Sequence, residues 1–294
     1  MNNELGKKLS KQKQTCGQFF VVATPIGNLD DFSFRAQQVL KDCHVILVED
    51  TRHSKRLLNH YGINSRLRSC HEHNETEQIE WLVDQLDQGF NIALISDAGT
   101  PLISDPGFVL VRTLRQRDYR VTTIPGPSAL IAALSISGLP TDQFLFDGFL
   151  PSKSVARKKQ YEQYLTQPRT VAVYESSHRI IASIEDCIEV LGSKRQLVLA
   201  RELTKKFETI IHGTADHVLD QLTNDDNQTK GEFVVLIEGA KQNQMLEPEI
   251  AGWLNELLTE LPIKKASSIV AKMSGYKKRD IYDLALRLKG ESGK

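Results

Sequence analysis

The sequence predicts an α/β protein: a mostly parallel sheet in the first half, a more mixed α/β second half, and a small helical appendage. Three observations predict it. Short apolar runs at 19–23, 45–48, 92–95 and 120–124 alternate with helical patterns, the spacing of a parallel sheet with helices on both faces. Further apolar runs recur at 144–149, 170–174, 196–200 and 233–237. Past residue 249 no strand-like run remains, only helical spacing.

Taken in order, Phe19–Ala23 is a first strand leading into the turn Thr24-Pro25-Ile26-Gly27-Asn28. Asp30 or Asp31 is placed to cap the next helix, which carries Phe34, Val39 and Leu40. Val45–Val48 runs straight into the loop Glu49-Asp50-Thr51-Arg52. Asn74 and Glu77 have capping-box spacing, Ile79, Leu82, Val83 and Leu86 form a helical stripe, and Gly89 closes it. The strand 92–95 stops at Ser96-Asp97-Ala98-Gly99-Thr100-Pro101-Leu102-Ile103-Ser104-Asp105-Pro106-Gly107. A helix over about 107–117 and the strand 120–124 follow, broken by Pro125-Gly126-Pro127-Ser128.

The second half begins with a small-residue helix from Ser128 to near Gly138, and Ile180, Ile184, Ile188 and Leu191 mark another. Thr204–Gly213 is less regular and fits antiparallel strands. Lys241–Glu249 reads as a linker. Beyond it, Trp253, Leu254, Leu257 and Leu258 mark a helix stopped near Pro262, with Trp253 expected in the core or partly buried. Ile263, Ala266, Val270 and Met273 mark a second, closed by Gly275, and Ile281, Leu284, Ala285 and Leu288 a third. The expected division is a leader over 1–17, α/β domains over 18–127 and 128–240, and a linker with helical appendage over 241–294.

The chain has 294 residues, with 37 Lys and Arg against 37 Asp and Glu, so global charge favours no partner. Charge is segregated in the appendage, where Lys264, Lys265, Lys272, Lys277, Lys278, Arg279, Arg287 and Lys289 meet only Asp280 and Asp283. The helix–Gly275–helix pattern suits a helix-turn-helix that brings lysines to RNA phosphate; a solvated charged face is the bland alternative. No apolar run is long enough to span a bilayer, and the polar leader has no secretory h-region. The four cysteines have no paired spacing, so reduced thiols and a cytoplasmic location are expected. Cys70-His71-Glu72-His73 invites a metal, but no second cluster completes a site, so none is expected.

Polar loops at 24–31, 49–54, 96–107 and 125–128 all follow strands of the first half, and such ends converge on one edge of a parallel sheet. The 96–107 loop has no phosphate-cradle or dinucleotide motif and no Lys or Arg. Its ligand is therefore neutral or cationic rather than polyphosphorylated.

These loops resemble those of the tetrapyrrole methylase superfamily of S-adenosylmethionine-dependent methyltransferases. The likeness is strongest to the branch that 2′-O-methylates a cytidine in the decoding region of small-subunit (16S) ribosomal RNA. It rests on Thr24–Leu29, Glu49–His53, His71–Glu75, Ser96–Gly107, Pro125–Ala129, Tyr174–Arg179, Ala200–Lys205 and Lys230–Glu232, which span about 19–240. The wider superfamily usually carries a glycine-rich first loop and a Gly-Asp-Pro third loop. Pro25-Ile26-Gly27-Asn28 and Asp97-Ala98-Gly99-Thr100-Pro101 stand there instead, a departure that favours the RNA branch.

The resemblance implies a two-domain fold with the cofactor, S-adenosylmethionine, in the cleft between domains. Pro25 and Ile26 would flank it, and Asp97, Gly99 and Thr100 would contact its methionine or ribose part. Ser128 and Ala129 would hold its amino-acid moiety, while Tyr174, Glu175, Ala200 and Arg201 would enclose the adenine side. Carbonyls, a carboxylate and apolar walls suit a sulfonium and a neutral adenine. For the ribose hydroxyl the candidate acceptors are Asp50, Glu49, His71 and Glu75, with Arg52 steering a phosphate. The implied partners are the small ribosomal subunit or its 16S RNA and a second copy of the chain, with no membrane. Two other readings stay open here: a tetrapyrrole methyltransferase, and a non-catalytic RNA-binding assembly factor.

Overall fold

The computed structural model describes residues 16–71, 74–240, 248–274 and 276–291. The expected leader, apart from its last two residues, lies outside them, as do Glu72, His73, most of the expected linker and Gly275.

The first sheet contains β1 (Phe19–Val22), β2 (Val45–Val48), β3 (Arg66–Ser69), β4 (Ile92–Leu94) and β5 (Val121–Ile124). Their order is β3-β2-β4-β1-β5 and every neighbouring pair is parallel. Alternate residues point to opposite faces. Val22, Ile46, Val48, Ala93 and Ile95 therefore pack under α1 (Phe34–Asp42) and α2 (Thr51–His60), with Leu40 and Leu58. Phe19, Val21, Val45, Leu47, Ile92 and Leu94 face α3 (Glu75–Asp87) and α4 (Phe108–Gln116), with Leu82, Leu86, Leu110 and Leu114. Burial on both faces explains why these strands read as continuous apolar runs.

Three local expectations change. Ser33, not Asp30 or Asp31, caps α1, its side chain accepting from Ala36 N–H, while Asn28 caps a short 3-10 turn over Leu29–Asp31. The loop expected at 49–54 is in its second half the start of α2, capped by Asp50, whose carboxylate accepts from Arg52 N–H. Asn74 makes no side-chain cap bond to its helix; its Oδ1 accepts from His71 N–H at 2.8 Å, so it closes the preceding loop.

The second sheet contains β6 (Phe144–Phe149), β7 (Thr170–Ser176), β8 (Gln196–Arg201), β9 (Thr209–Thr214) and β10 (Glu232–Ile237), ordered β6-β7-β10-β8-β9. Only β6 and β7 run parallel; the other pairs are antiparallel, which is the mixed character the sequence suggested. One face packs on α5 (Ala129–Ile136) through Leu130, Ala133 and Leu134 against Ala172, Val198, Ala200 and Val234. The other packs on α6 (Ser154–Gln163), α7 (Ile180–Leu191) and α8 (Ala215–Asn224). A buried pair, Arg157 to Asp186 at 2.6 Å, ties α6 to α7.

The appendage is α9 (Pro248–Glu260), α10 (Ile263–Ser274) and α11 (Lys278–Glu291). Ile250, Leu254, Ala266, Val270, Ile281, Leu284 and Ala285 form its core. Trp253 is 40% exposed rather than a core residue, because Ile250 and Leu254 hold the inward stripe of α9. Among the described residues no helix is long and apolar enough to cross a membrane.

Candidate functional site

The loops after β1 and β4 leave neighbouring strands and are stitched together. Thr24 N–H donates to Gly99 O at 2.8 Å, and Gly99 N–H donates to Thr24 O at 3.1 Å. Thr24 is fully buried and its hydroxyl donates to Ser96 O. Thr100 donates to Pro127 O at 3.0 Å, anchoring the 96–107 loop to the entry of α5. The loop is conformationally tight: Gly99 has φ +84°, Leu102 +75°, Ser104 +67° and Gly107 +126°. Two non-glycine residues in the left-handed region of one loop mark strain held by its surroundings, which is characteristic of ligand-shaping segments.

Between this loop and the ends of β7, β8 and β10 lies a cavity of about 460 Å³. The loops of the first sheet contribute Ile26 and residues of the 97–105 loop; the other side contributes Ser128, Ala129, Phe149, Tyr174, Glu175, Ala200, Leu203, Lys205 and Val234. Of the residues expected around a cofactor, Ile26, Asp97, Gly99, Thr100, Ser128, Ala129, Tyr174, Glu175 and Ala200 line it.

Two expected residues do not. Pro25 is buried and is not part of the wall. Arg201 follows Ala200 on β8 and so points to the other face. Its guanidinium donates to Lys230 O at 2.6 Å, Phe207 O at 3.1 Å and Thr209 Oγ1 at 3.2 Å, holding the β8–β9 turn instead of a ligand. Sequence reasoning missed Phe149, Leu203 and Val234 as wall residues. Lys205 sat inside a quoted motif without a role.

The cavity's charge is predominantly acidic. Asp97, Asp105, Glu175 and Glu232 line it, and Lys205 is the one cation among its described wall residues. Lys205 is spent internally, on Glu202 and Glu232 at 2.8 Å each. Burial, with the like charges of Glu49 and Asp97, lifts the Asp105 carboxyl to about 6 against the opposing hydrogen bond from Ser96. Burial first, and then Asp97, also raises Glu49, opposed by His71. Glu175 accepts from Ser176 N–H and pairs with Arg179 at 3.0 Å through Oε1, while its buried Oε2 has no hydrogen-bond partner. A carboxylate oxygen left so is costly unless a ligand donor reaches it. Apolar walls, a carboxylate excess with one unpartnered buried oxygen on Glu175, and a single, already paired cation among the described wall residues suit a positively charged ligand with a flat neutral ring.

The candidate proton acceptors separate. Glu49 is half-buried at the end of β2, in electrostatic contact with Asp97 and His71. Asp50 stands beside it at the start of α2, its own N–H reaching Asp97 Oδ1 at 3.4 Å. Arg52 extends into solvent, its side chain 94% exposed. Glu75 departs from expectation: it is buried, and its Oε1 accepts from Leu110 N–H at 2.9 Å, so it satisfies the start of α4 away from the cavity. Among the described residues no group of three or more His, Cys, Asp or Glu converges on a metal-sized site.

Residues 18–219 match the family model for tetrapyrrole (corrin/porphyrin) methylases, and residues 244–289 match that for an RsmI C-terminal HTH domain. Proteins named ribosomal RNA small subunit methyltransferase I are close in sequence. That of Escherichia coli O157:H7 is 48% identical over 93% of this chain and 96% of its own length. That of Haemophilus influenzae is 49% identical over 92% and 96%. That of Pseudomonas aeruginosa is 47% identical over 95% and 100%. Among solved structures, the cobalamin biosynthetic enzyme cobalt precorrin-4 methyltransferase superposes with a TM-score of 0.55 at 15% identity, over 77% of this chain and 96% of its own. The methyltransferase CobJ superposes with a TM-score of 0.57 at 17% identity, over 76% and 95%. These two similarities concern the fold.

Proposed function

The chain belongs to the tetrapyrrole methylase family, and from that membership we propose that it transfers the methyl group of S-adenosylmethionine to small-subunit (16S) ribosomal RNA, at the ribose 2′-hydroxyl of a cytidine. The observation that carries this reading is the acidic, apolar-walled cavity between the two sheets, in a chain nearly half identical to named ribosomal RNA methyltransferases along its length.

S-adenosylmethionine, when bound, supplies a methyl group activated by a sulfonium. The chain's residues hold and orient. Asp97, Asp105 and the unpaired Glu175 oxygen offer the negative field and acceptors that a sulfonium and an ammonium require. Backbone N–H groups at the start of α5, beside Ser128 and Ala129, would receive the cofactor's carboxylate. Ile26, Tyr174, Ala200, Leu203 and Val234 would supply the apolar walls for an adenine. Fixing the acceptor oxygen about 3 Å from the methyl carbon, in line with sulfur, supplies most of the acceleration.

The hydroxyl proton goes to Glu49. Burial and Asp97 raise its affinity for a proton, whereas the Arg52 N–H bond holds neighbouring Asp50 below the ordinary carboxylate range. Asp50 positions the loop, and Arg52 meets a phosphate of the acceptor strand. On this reading residues 18–127 present the RNA acceptor, residues 128–240 complete the cofactor cleft, and 241–294 add a basic helical RNA contact. Two copies pair, supported by the apolar side chains that Ile131, Ile136 and Phe144 expose. The protein works in the cytoplasm.

Methyl transfer tests the reading: label from S-adenosylmethionine should pass to isolated small ribosomal subunits and not to a tetrapyrrole. Label on the tetrapyrrole alone would overturn it.

A further inference from the structure

The segment 51–70 contains Arg52, Lys55, Arg56, Arg66 and Arg68, with His53 and His60, and no acidic residue, in a chain whose net charge is zero. The structure gives this run a shape. Ser54 and Leu58 turn inward on α2, leaving Arg52, Lys55, Arg56 and Asn59 exposed at i, i+3, i+4 and i+7, one continuous face. That face borders a groove of about 540 Å³ between α2 and the connection to β3, floored by Leu58 and Ile63. Lys55, Asn59 and Asn64 are among its lining residues.

The cations in and beside the groove, Arg52 and Lys55 in its wall and Arg56 and Arg66 next to it, are left without a close carboxylate. Elsewhere Arg117, Arg157, Lys158, Arg179 and Lys205 each have a carboxylate within 3.0 Å. Among the described residues Lys55, Arg56 and Arg66 have no ion pair, and Arg52 meets only Asp50, at 4.0 Å. A merely solvated helix face ordinarily interleaves both signs. A concave surface with one sign of charge concentrates a polyanion instead.

The groove also has a direction. Asp50, the cap of α2, donates its N–H to Asp97, which lines the cofactor cavity, so the helix starts at the cavity's edge. Its ten residues run on for about 15 Å. We propose that this groove and the helix face bordering it are an RNA phosphodiester site, separate from the cofactor cavity, in which Lys55 in the groove and Arg56 on the adjoining face hold backbone phosphates of the strand beside the reacting nucleotide and Asn59 and Asn64 contact its sugar or base edges. This rests on the reading that the substrate is ribosomal RNA. Phosphate contacts of this kind fix register without reading sequence.

The test uses the full chain and its Lys55→Ala/Arg56→Ala double variant, with a fluorescent single-stranded RNA titrated over a range of salt. Each lost phosphate contact reduces the steepness of log K against log salt by about 0.7, so the double variant should lose about 1.4 and bind roughly 25-fold more weakly at about 0.1 M salt. Lys55→Arg/Arg56→Lys should restore both values. Calorimetric binding of S-adenosylmethionine should be unchanged, which excludes misfolding as the cause. An unchanged slope and affinity, or no RNA binding by the unmodified chain, overturns the proposal. Methyl transfer to small subunits, measured on the same unmodified chain, separates the two claims. Salt-dependent binding that needs Lys55 and Arg56, without transfer, refutes the function and leaves the groove standing; transfer with an indifferent groove does the reverse.

Discussion

Replacing Asp105 by Asn should stabilise the ligand-free protein while weakening its hold on S-adenosylmethionine. The Asp105 carboxyl is lifted from an ordinary 3.8 to about 6, first by burial and then by the neighbouring charges of Glu49 and Asp97. For an acid this sign means that the folded state keeps the proton longer than the unfolded chain. Stability is therefore fully present below about pH 4, falls as the pH rises towards 6, and stays reduced above it. Complete sequestration would make the penalty about 3 kcal/mol. Asp105 is only partly buried, and solvent screening brings this to about 1–2 kcal/mol. Asn keeps an acceptor for Ser96 but carries no charge. Thermal unfolding at about pH 5 and about pH 8 should show a smaller drop for the variant than for the parent, with the variant a few degrees more stable at the higher pH. Calorimetry at about pH 8 should show S-adenosylmethionine bound about tenfold more weakly, the loss of one charge-assisted contact. A variant that melts at or below the parent at the higher pH, with the same pH dependence, would refute the electrostatic reasoning.

Glu49→Gln should lower turnover about a hundredfold or more while leaving S-adenosylmethionine affinity within about twofold, because a proton acceptor contributes on that scale to the chemical step; single-turnover transfer with unchanged rate removes Glu49 from that role. Glu75→Ala should destabilise the protein by about 2 kcal/mol in urea, since Leu110 N–H loses its buried acceptor, yet leave the turnover of folded enzyme intact. A large loss of turnover without loss of stability would restore Glu75 to the site. Gly99→Ala should weaken S-adenosylmethionine binding through backbone strain of about 1–2 kcal/mol at φ +84°, because a Cβ there meets nothing closer than Ile26 Cγ2 at 3.5 Å. Binding like that of the parent would show that the loop's shape is not what the cofactor needs.

Eight of the ten strands, and therefore the loops at their ends, were legible as apolar runs; β3 was missed and β9 read only as an irregular stretch fit for antiparallel strands. What sequence reasoning missed is polar. The helix α2 has only Leu57 and Leu58 as large apolar residues, and the edge strand β3 only Leu67, so neither carries a hydropathy signal, although together they build the basic groove. The helix α6, over Ser154–Gln163, is hidden for the same reason: it is anchored by Tyr161 and the buried Arg157–Asp186 pair, a contact made across 29 residues. Of the three misplaced site residues, Pro25, Arg201 and Glu75, the last two fail differently. Arg201 was foreseeable from strand alternation, since Ala200 and its neighbour cannot both face one cavity. Glu75 was not, because its partner lies 35 residues away on another helix and local spacing cannot show it.

The position of the transferred methyl group on the RNA distinguishes a ribose 2′-O-methyltransferase from a base methyltransferase. Small ribosomal subunits labelled from S-adenosylmethionine by the full chain would be deproteinised and the RNA hydrolysed completely with alkali. A 2′-O-methyl group removes the nucleophile that alkali needs, so the account predicts label in an alkali-resistant dinucleotide whose 5′ member is a cytidine. Label released as a single nucleotide, methylated on its base, would contradict it.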